Sequence, residues 1–345
     1  AACTGALYHI DLYVVVGDLP GLDAGLYHFG PQDFALRQLR QGDYRRVVVE
    51  ASGDNPSLQE APMLLIGSDT FWRNAWKYRA RAYRHSFWDA GTILANLLAA
   101  AHARAVPVHL ALGFADAPVN ALLDLDTARE VALFLVGVGT RAALPTAAPP
   151  VEPLQVDVAP LSDEEMDYPA IRLIHDASSL DDPEEAAEWR SAAPGASLPA
   201  VSRDLFALCP DAEESLPQAA LEDVIRHRGS TRQFSHQALS LTQLSNVLVR
   251  ATQPIPADFL AAPGQRMHDL YCIVNAVSGL PSGSYVFRPQ DTRLELLQAG
   301  DFRLQAGELA LGQEIAADAS VAVILLCDLL PVLERFGNQI GRANF

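Results

Sequence analysis

The fold of this chain is indicated by residues 12–45, which read LYVVVGDLPGLDAGLYHFGPQDFALRQLRQGDYR. The stretch recurs without a gap at residues 270–303, which read LYCIVNAVSGLPSGSYVFRPQDTRLELLQAGDFR. Sixteen of the 34 aligned positions are identical. Most identities are turn residues or strand aromatics, the positions that a shared backbone constrains. The sequence therefore contains two copies of one module, at an offset of 258 residues.

The same offset holds further along the chain and aligns residues of different chemistry. The aligned pairs are Lys77 with Arg335, Tyr78 with Phe336, Arg84 with Arg342 and Phe87 with Phe345. We predict copy one at residues 1–142, a linker with helical segments at 143–217 and copy two at 218–345. We expect copy one to lack its N-terminal part and copy two its C-terminal part, so that the chain is a fragment. A duplication of this length usually joins two halves of an ancestral dimer, so we expect an intramolecular pseudo-dimer.

Hydrophobic periodicity predicts an α+β fold. Strands are expected at residues 10–17, 25–29, 61–67, 108–112 and 131–137, and helices at 71–103, 169–180, 183–192, 219–228 and 241–251. Residues 27–39, YHFGPQDFALRQL, are expected to contain a hairpin strand, a proline-containing turn and then another strand or a short helix. Strands and helices alternate without a strict βαβ rhythm, which favours α+β over a parallel α/β sheet.

Composition excludes several classes of function. The net charge of −17 argues against a general nucleic-acid or anionic-membrane surface, although it permits a local anion site. No apolar run reaches the roughly 18 residues of a membrane span, and no secretory signal opens the chain. The four cysteines and nine histidines show no ligand spacing, so we expect no metal and a cytoplasmic protein with reduced thiols. Each histidine is expected to lie in the core or on the surface.

Lys77 is the only lysine among 25 basic residues. Arginine replaces lysine at most solvated positions but cannot lose its proton, so a sole surviving lysine is a candidate for proton transfer. The alternative is a chance survivor. Residues 73–84 also hold four arginines interleaved with tryptophan and tyrosine. This pattern suits an anion or an aromatic cofactor, or equally the charged outer face of a helix.

A second candidate site is the segment RGSTRQF at residues 228–234, which follows a predicted helix. Its two arginines and two hydroxyls would suit a phosphate, and a solvated helix end is the alternative. Residues 3–6, CTGA, form a loop of small residues before the first strand. The sequence contains neither a GxGxxG motif nor a P-loop.

Taken together, these segments resemble a known family. Residues 225–234, IRHRGSTRQF, and 239–248, LSLTQLSNVL, resemble the start of nitroreductase-type domains. Residues 76–101, WKYRARAYRHSFWDAGTILANLLAAA, resemble the SagB-type branch, which includes thiazoline and oxazoline oxidases. Residues 168–180, YPAIRLIHDASSL, resemble the link in tandem members. The resemblance covers nearly the whole chain.

The resemblance implies a nitroreductase-like fold, with a central mixed, mostly antiparallel sheet flanked by helices, and FMN as the cofactor. By resemblance, the FMN phosphate would be bound by Arg228, Ser230 and Arg232. The loop Cys3, Thr4 and Gly5 would reach the flavin from the partner domain. Lys77 and Tyr78 match a Lys-Tyr pair that transfers protons in azoline oxidation, whereas the copy-two pair, Arg335 and Phe336, offers neither a base nor a phenol.

The sequence therefore predicts an FMN-dependent oxidoreductase in which a hydride passes to the flavin while Lys77 or Tyr78 removes a proton. The candidate substrate is a small heterocycle or a peptide-derived azoline. One alternative is an NAD(P)H-dependent reductase of nitroaromatics or quinones. Another is a degenerate, non-catalytic scaffold that binds a peptide or protein partner.

Overall fold

The computed structural model describes residues 2–156, 162–191, 204–260 and 266–338. The aligned positions Arg342 and Phe345 lie outside these described residues. The chain divides into two compact units. Unit 1 comprises Ala1–Pro194, Pro256–Ala261 and Val332–Phe345, and unit 2 comprises Gly195–Ile255 and Ala262–Pro331.

Unit 1 contains a six-stranded antiparallel sheet in the order β3-β2-β1-β4-β6-β5. Its strands are β1 (Ile10–Val16), β2 (Gly25–Gly30), β3 (Ala35–Gln41), β4 (Met63–Thr70), β5 (Val108–Ala111) and β6 (Glu130–Val138). The central strands β1, β4 and β6 consist mainly of β-branched and large apolar residues, which favour a pleated, buried surface.

Helices cover this sheet. They are α1 (Arg45–Ala51), α2 (Pro56–Gln59), α3 (Trp72–Tyr78), α4 (Ala82–Ala103), α5 (Asp116–Leu123), α6 (Pro169–Ser178) and α7 (Pro183–Ser191). The core of unit 1 forms where apolar residues of α1 and α5, such as Val48 and Val119, pack with sheet residues such as Leu64 and Leu135. The start of α2 is well specified, because Asn55 accepts a hydrogen bond from Ser57 N at 3.0 Å.

The predicted helix over residues 71–103 is two helices, α3 and α4, joined by a 3₁₀ turn at Arg79–Arg81. The break coincides with Arg79, whose φ of +55° and ψ of −145° are incompatible with a continuous α-helix. The apolar periodicity of α4 is confirmed, since Phe87, Ala90 and Leu94 are buried.

Unit 2 is built on a second antiparallel sheet, in the order β13-β9-β11-β12-β7. The remaining strands are β7 (Leu205–Ala207), β8 (Leu239–Ser240), β9 (Asp269–Val274), β10 (Val277–Ser278), β11 (Gly283–Arg288), β12 (Arg293–Ala299) and β13 (Val321–Leu326). β8 and β10 form a separate two-stranded parallel pair. The remaining helices are α8 (Leu221–His227), α9 (Leu241–Ala251), α10 (Arg303–Leu309), α11 (Glu314–Asp318) and α12 (Leu329–Phe336).

The two sheets repeat the same local geometry at the offset seen in the sequence. The β2–β3 ladder shifts register between Leu26 and Tyr27, and the β11–β12 ladder shifts between Ser284 and Tyr285. In both, the tyrosine hydroxyl donates to the carbonyl four residues earlier, at 2.9 Å in the first copy and 2.6 Å in the second. The order β3-β2-β1-β4 is matched by β12-β11-β9-β13. These two sheet-containing regions are consistent with two copies of one module.

The α+β prediction is confirmed: antiparallel sheets are flanked by helices. Helices α6 and α7 of the predicted linker belong to unit 1. The copy boundaries at residues 142 and 217 and the pseudo-dimer stay predictions. Within the described part of the chain, every helix is too short or too polar to cross a membrane.

Candidate functional site

A buried group of three charged side chains lies at the end of β1 and β4 beside α4. His9 Nδ1 is 2.6 Å from Asp69 Oδ1, and His9 Nε2 is 2.8 Å from Asp89 Oδ2. His9, Asp69 and Asp89 are all buried. Ser86 Oγ donates a hydrogen bond to the second carboxylate oxygen of Asp69. Three elements that are distant in sequence are thus joined by one hydrogen-bonded network.

The geometry favours the imidazolium form of His9, because both ring nitrogens face a carboxylate and an ionised carboxylate only accepts hydrogen bonds. Burial by itself lowers the pKa of His9, but the hydrogen bonds with Asp69 and Asp89 outweigh it and raise the pKa to about 11. For Asp89 the effect of burial alone is to raise the pKa of the carboxyl group. The hydrogen bonds with His9, Cys3 and Thr4 outweigh burial, so the pKa of Asp89 is lowered. The ligand atoms of Cys3, His9 and Asp89 lie within 4.8 Å of one another. In this structure the same atoms are joined by hydrogen bonds, from His9 Nε2 to Asp89 at 2.8 Å and from Cys3 Sγ to Asp89 at 3.1 Å.

The predicted flavin-binding loop, Cys3–Gly5, is hydrogen-bonded to this network. Asp89 accepts hydrogen bonds from the Thr4 backbone N at 2.9 Å, from Thr4 Oγ1 at 2.8 Å and from Cys3 Sγ at 3.1 Å. The backbone is strained at the two non-glycine residues with left-handed φ, Ala6 at +55° and Tyr8 at +47°. Left-handed conformations cost L-residues about 1–2 kcal/mol each, so the bonds to Asp89 offset a real cost.

The loop lies directly against the predicted proton-transfer pair. A Cβ placed on Gly5 would be 2.8 Å from the Tyr78 hydroxyl and 3.3 Å from Lys77 Nζ. Glycine is favoured there because its φ is left-handed, and a side chain would displace the ends of Lys77 and Tyr78. The structure therefore brings together two sets of predicted site residues, the Cys3–Gly5 loop and Lys77 with Tyr78.

Tyr78 is held by aromatic and cationic neighbours. Its ring meets His85 edge-on at 4.6 Å between centroids, and Lys77 Nζ and the Arg81 guanidinium lie 5.4 Å and 5.7 Å from its centroid. Burial, with a further contribution from Arg81, lowers the pKa of His85. His85 Nδ1 bonds Asn74 Oδ1 at 2.9 Å, which connects the ring to α3.

The equivalent pair of copy two has a different environment. The Arg335 guanidinium lies 5.9 Å from the Phe336 ring, a geometry similar to that of Lys77 and Tyr78. Phe336, however, is buried and packs on Trp189, with ring centroids 5.3 Å apart. This ring has no hydroxyl and serves as a core residue.

A cavity of about 570 Å³ opens beside the loop. Cys3 and Tyr8 of the loop line it, together with apolar residues of β1 and α4 such as Ile10 and Ile93. Arg73 and Asp11 form the charged part of its wall, with Arg73 Nη1 3.5 Å from Asp11 Oδ2. The cavity is within the usual range for small-molecule sites and is mostly apolar, with a few polar groups.

The predicted phosphate-binding residues lie in unit 2. Arg228, Ser230 and Arg232 follow α8 in a segment without regular secondary structure, and all three are exposed. Within the described residues, neither arginine takes part in an ion pair. Their guanidinium and hydroxyl donors are open to solvent, and their role as phosphate ligands stays a prediction.

Sequence reasoning missed the buried network. His9, Asp69 and Asp89 are separated by 60 and 80 positions along the chain, so no local spacing links them. The only sequence signal is a charged residue inside each of two otherwise apolar elements: Asp69 at the end of β4 and Asp89 on the buried face of α4.

The pKa of His9 predicts how stability depends on pH. Because the pKa of His9 in the folded protein, about 11, exceeds the ordinary histidine pKa of 6.5, the stabilisation from its protonation is complete below pH 6.5 and is lost as the pH rises through about 11. Between these limits the free energy of unfolding of unit 1 should fall by up to about 1.4 kcal/mol per pH unit. Urea unfolding over this range would measure the slope, and the variant His9→Gln should show a flatter profile. Equal slopes in both proteins would contradict the assignment.

Comparison with known proteins identifies the fold. Residues 5–140 match the family model described as the nitroreductase family. The structure also superposes on a crystal structure of a protein designated a nitroreductase from Anabaena variabilis ATCC 29413, with a TM-score of 0.75 and 22% identity. That superposition covers 100% of this chain and 71% of the other. The fold is nitroreductase-like.

Two further structures are similar to smaller parts of the chain. One is an E. coli microcin synthetase McbBCD complex with truncated pro-MccB17 bound, with a TM-score of 0.37 and 22% identity over 40% of this chain and 54% of that chain. The other is designated a nitroreductase from Ralstonia eutropha JMP134, with a TM-score of 0.32 and 19% identity over 39% of this chain and 58% of that chain. No curated protein matches the sequence.

The nitroreductase match covers the loop from Gly5, the buried network and the Lys77–Tyr78 pair, and it ends before the segment that contains Arg228. This match over unit 1 supports an oxidoreductase.

Proposed function

We propose that this protein is an FMN-dependent oxidoreductase in which Lys77 and Tyr78 transfer a proton while a hydride is exchanged between substrate and flavin. The proposed reaction is the dehydrogenation of an azoline to an azole in a peptide-derived substrate. The family match over residues 5–140 and the resemblance of residues 76–101 to SagB-type tandem dehydrogenases support this proposal.

The observation that carries the proposal is the contact between the Cys3–Gly5 loop and the Lys77–Tyr78 pair. Both were predicted as site residues from separate segments of sequence, and the Tyr78 hydroxyl and Lys77 Nζ both approach Gly5. Groups that act on one substrate must lie within a few ångströms of each other, which this arrangement satisfies.

The cavity beside the loop supports the proposal of a flavin cofactor through its size and lining. Its volume of about 570 Å³ and its mostly apolar walls suit an aromatic tricycle, and Cys3 and Asn96 offer polar atoms at its edge. Arg73 provides a cation in the wall. When bound, FMN would accept the hydride.

Lys77 and Tyr78 would accept the proton that the substrate loses. Dehydrogenation of an azoline removes two hydrogens from neighbouring ring atoms, one as a hydride and one as a proton. Lys77 in its amine form or Tyr78 in its phenolate form can accept that proton, and the other can stabilise the charge that develops. The loop, fixed by Asp89, would hold the pair in place and restrict water.

Arg228, Ser230 and Arg232 are proposed to bind the FMN phosphate, because exposed guanidinium groups and a hydroxyl offer bidentate and single donors to its oxygens. These three residues are proposed from the resemblance and from their exposure alone.

The test uses the full chain, purified and reconstituted with FMN. Retained FMN, measured by absorbance after release, combined with bleaching of the flavin by a synthetic thiazoline-containing peptide without oxygen, would support the proposal. Bleaching by NAD(P)H but not by the peptide would instead favour a nitro- or quinone-type reductase. A chain that retains no FMN would contradict flavin dependence and favour the scaffold alternative.

A further inference from the structure

Residues 71–88 form a block of positive charge in an acidic protein. The block contains no aspartate or glutamate and holds five basic residues, although the chain as a whole carries a net charge of −17. Arg73 pairs with Asp11. Within the part of the chain that the structure describes, Arg79, Arg81 and Arg84 make no ion pair. Three unpaired arginines therefore face solvent together.

Two tryptophans accompany these arginines. Trp76 is 51% exposed and Trp88 is 49% exposed. The Arg84 guanidinium lies 5.7 Å from the centre of the Trp88 ring. Arg81, Arg84 and Trp88 are spaced by three and four residues along α4, so they share one face of the helix. We call Trp76, Arg79, Arg81, Arg84 and Trp88 the cationic surface.

Arg81 and Arg84 lie at the N-terminus of α4, where a positive charge is electrostatically unfavourable. Arg81 is the N-cap of the 22-residue helix α4 and Arg84 lies in its first turn, where no acidic residue is present. The N-terminus of a helix carries partial positive charge, so cations there are unfavourable. An anion bound at this end would be favourable for the same reason.

Arg79 has a further conformational cost. Its φ of +55° lies in the left-handed region that glycine adopts easily. The aligned position in copy two is Gly337, which has the same φ of +55°. Copy two also has Glu334 where copy one has Trp76. The cationic surface is therefore a property of copy one, kept despite local strain and helix-dipole repulsion.

We propose that the cationic surface binds an acidic polypeptide segment. Carboxylate side chains would pair with Arg79, Arg81 and Arg84, and the apolar parts of the segment would pack on Trp76 and Trp88. Tryptophan and arginine are the residues most enriched in protein–protein binding hot spots. The five side chains are exposed, whereas small anions and cofactors generally bind in concave sites, so an extended chain fits better than a free phosphate. The inference does not depend on the proposed function.

The first experiment measures the anisotropy of a rhodamine-labelled hexaglutamate peptide titrated with the full chain, with labelled hexaglutamine as the neutral probe. We expect hexaglutamate alone to bind, and its affinity to fall as salt rises. The variant Arg81→Gln/Arg84→Gln should lose about 10-fold or more in affinity. The charge-matched control Arg226→Gln/Arg293→Gln, which removes two exposed arginines elsewhere, should bind as the wild type does.

Three results would overturn the proposal: equal loss in both double variants, equal binding of hexaglutamine, or displacement of hexaglutamate by an equimolar amount of inorganic phosphate. The last would assign the surface to small anions instead of a polypeptide.

A second variant separates binding from folding. Arg84→Glu should abolish binding of hexaglutamate and at the same time raise the melting temperature by about 1–3 °C, because it replaces an unfavourable cation in the first turn of α4 with a favourable anion. A fall in both binding and melting temperature would show that Arg84 is a structural residue, and the proposal would then be wrong.

Discussion

Replacing Asp89 with alanine is expected to lower the free energy of unfolding of unit 1 by about 3–5 kcal/mol. Asp89 is buried and accepts hydrogen bonds from His9, Thr4 and Cys3. Its removal leaves the His9 cation with one carboxylate partner and leaves the strained loop without its main anchor. Breaking a buried ion pair in this way destabilises the folded state, because the remaining charge is shielded from water and no longer has its partner.

Urea unfolding followed by tryptophan fluorescence would measure the loss. The control is Asp33→Ala, which removes a carboxylate that pairs with Arg37 on the surface, where both side chains are about half exposed. Exposed pairs contribute about 1 kcal/mol or less. Asp89→Asn should fall between the two, since it keeps the size and one acceptor oxygen but loses the charge. If Asp89→Ala were as stable as Asp33→Ala, the buried network would not hold the loop.

Replacing Lys77 with alanine is expected to lower turnover by about 10²–10⁴-fold without loss of bound FMN, if the proposed function holds. The amine approaches Gly5 next to the Tyr78 hydroxyl, and it is exposed, so its removal should leave the fold intact. Turnover and FMN content are measured on the same preparation, which separates loss of chemistry from loss of cofactor.

The repeat supplies the controls for this experiment. Arg335→Ala removes the aligned cation of copy two and should leave turnover unchanged. The double variant Lys77→Arg/Tyr78→Phe gives copy one the pair found in copy two, and it should be as inactive as Lys77→Ala because guanidinium cannot accept a proton. Full activity in this double variant would show that neither Lys77 nor Tyr78 transfers a proton.

The Cys3–Gly5 loop contacts both the buried network and the proposed proton-transfer pair. On one side, Thr4 is bonded to the buried Asp89. On the other, Gly5 touches Lys77 and Tyr78. A change in the buried network should therefore alter the geometry of the proposed proton-transfer pair, Lys77 and Tyr78, although no atom of His9 or Asp69 needs to touch the substrate.

Much of the fold followed from the sequence alone. The predicted strand at residues 10–17 corresponds to β1, and the predicted helix at 241–251 corresponds to α9, because periodic apolar residues and local turn or cap signals specify such elements. The short helix α5 was not predicted. The break between α3 and α4 was also missed, since nothing in the residues around Arg79 signals a left-handed backbone.

What the sequence determined by itself was the duplication, the strand and helix pattern, and the chemical identity of the unusual residues, Lys77 above all. These are properties of residue spacing and composition, which can be read directly from the order of residues in the chain. Only the tertiary structure decided that Gly5 lies against Lys77 and Tyr78, and that His9 is an imidazolium between Asp69 and Asp89. Those contacts join residues 60 to 80 positions apart, and they depend on how β1, β4 and α4 pack, which no local pattern encodes.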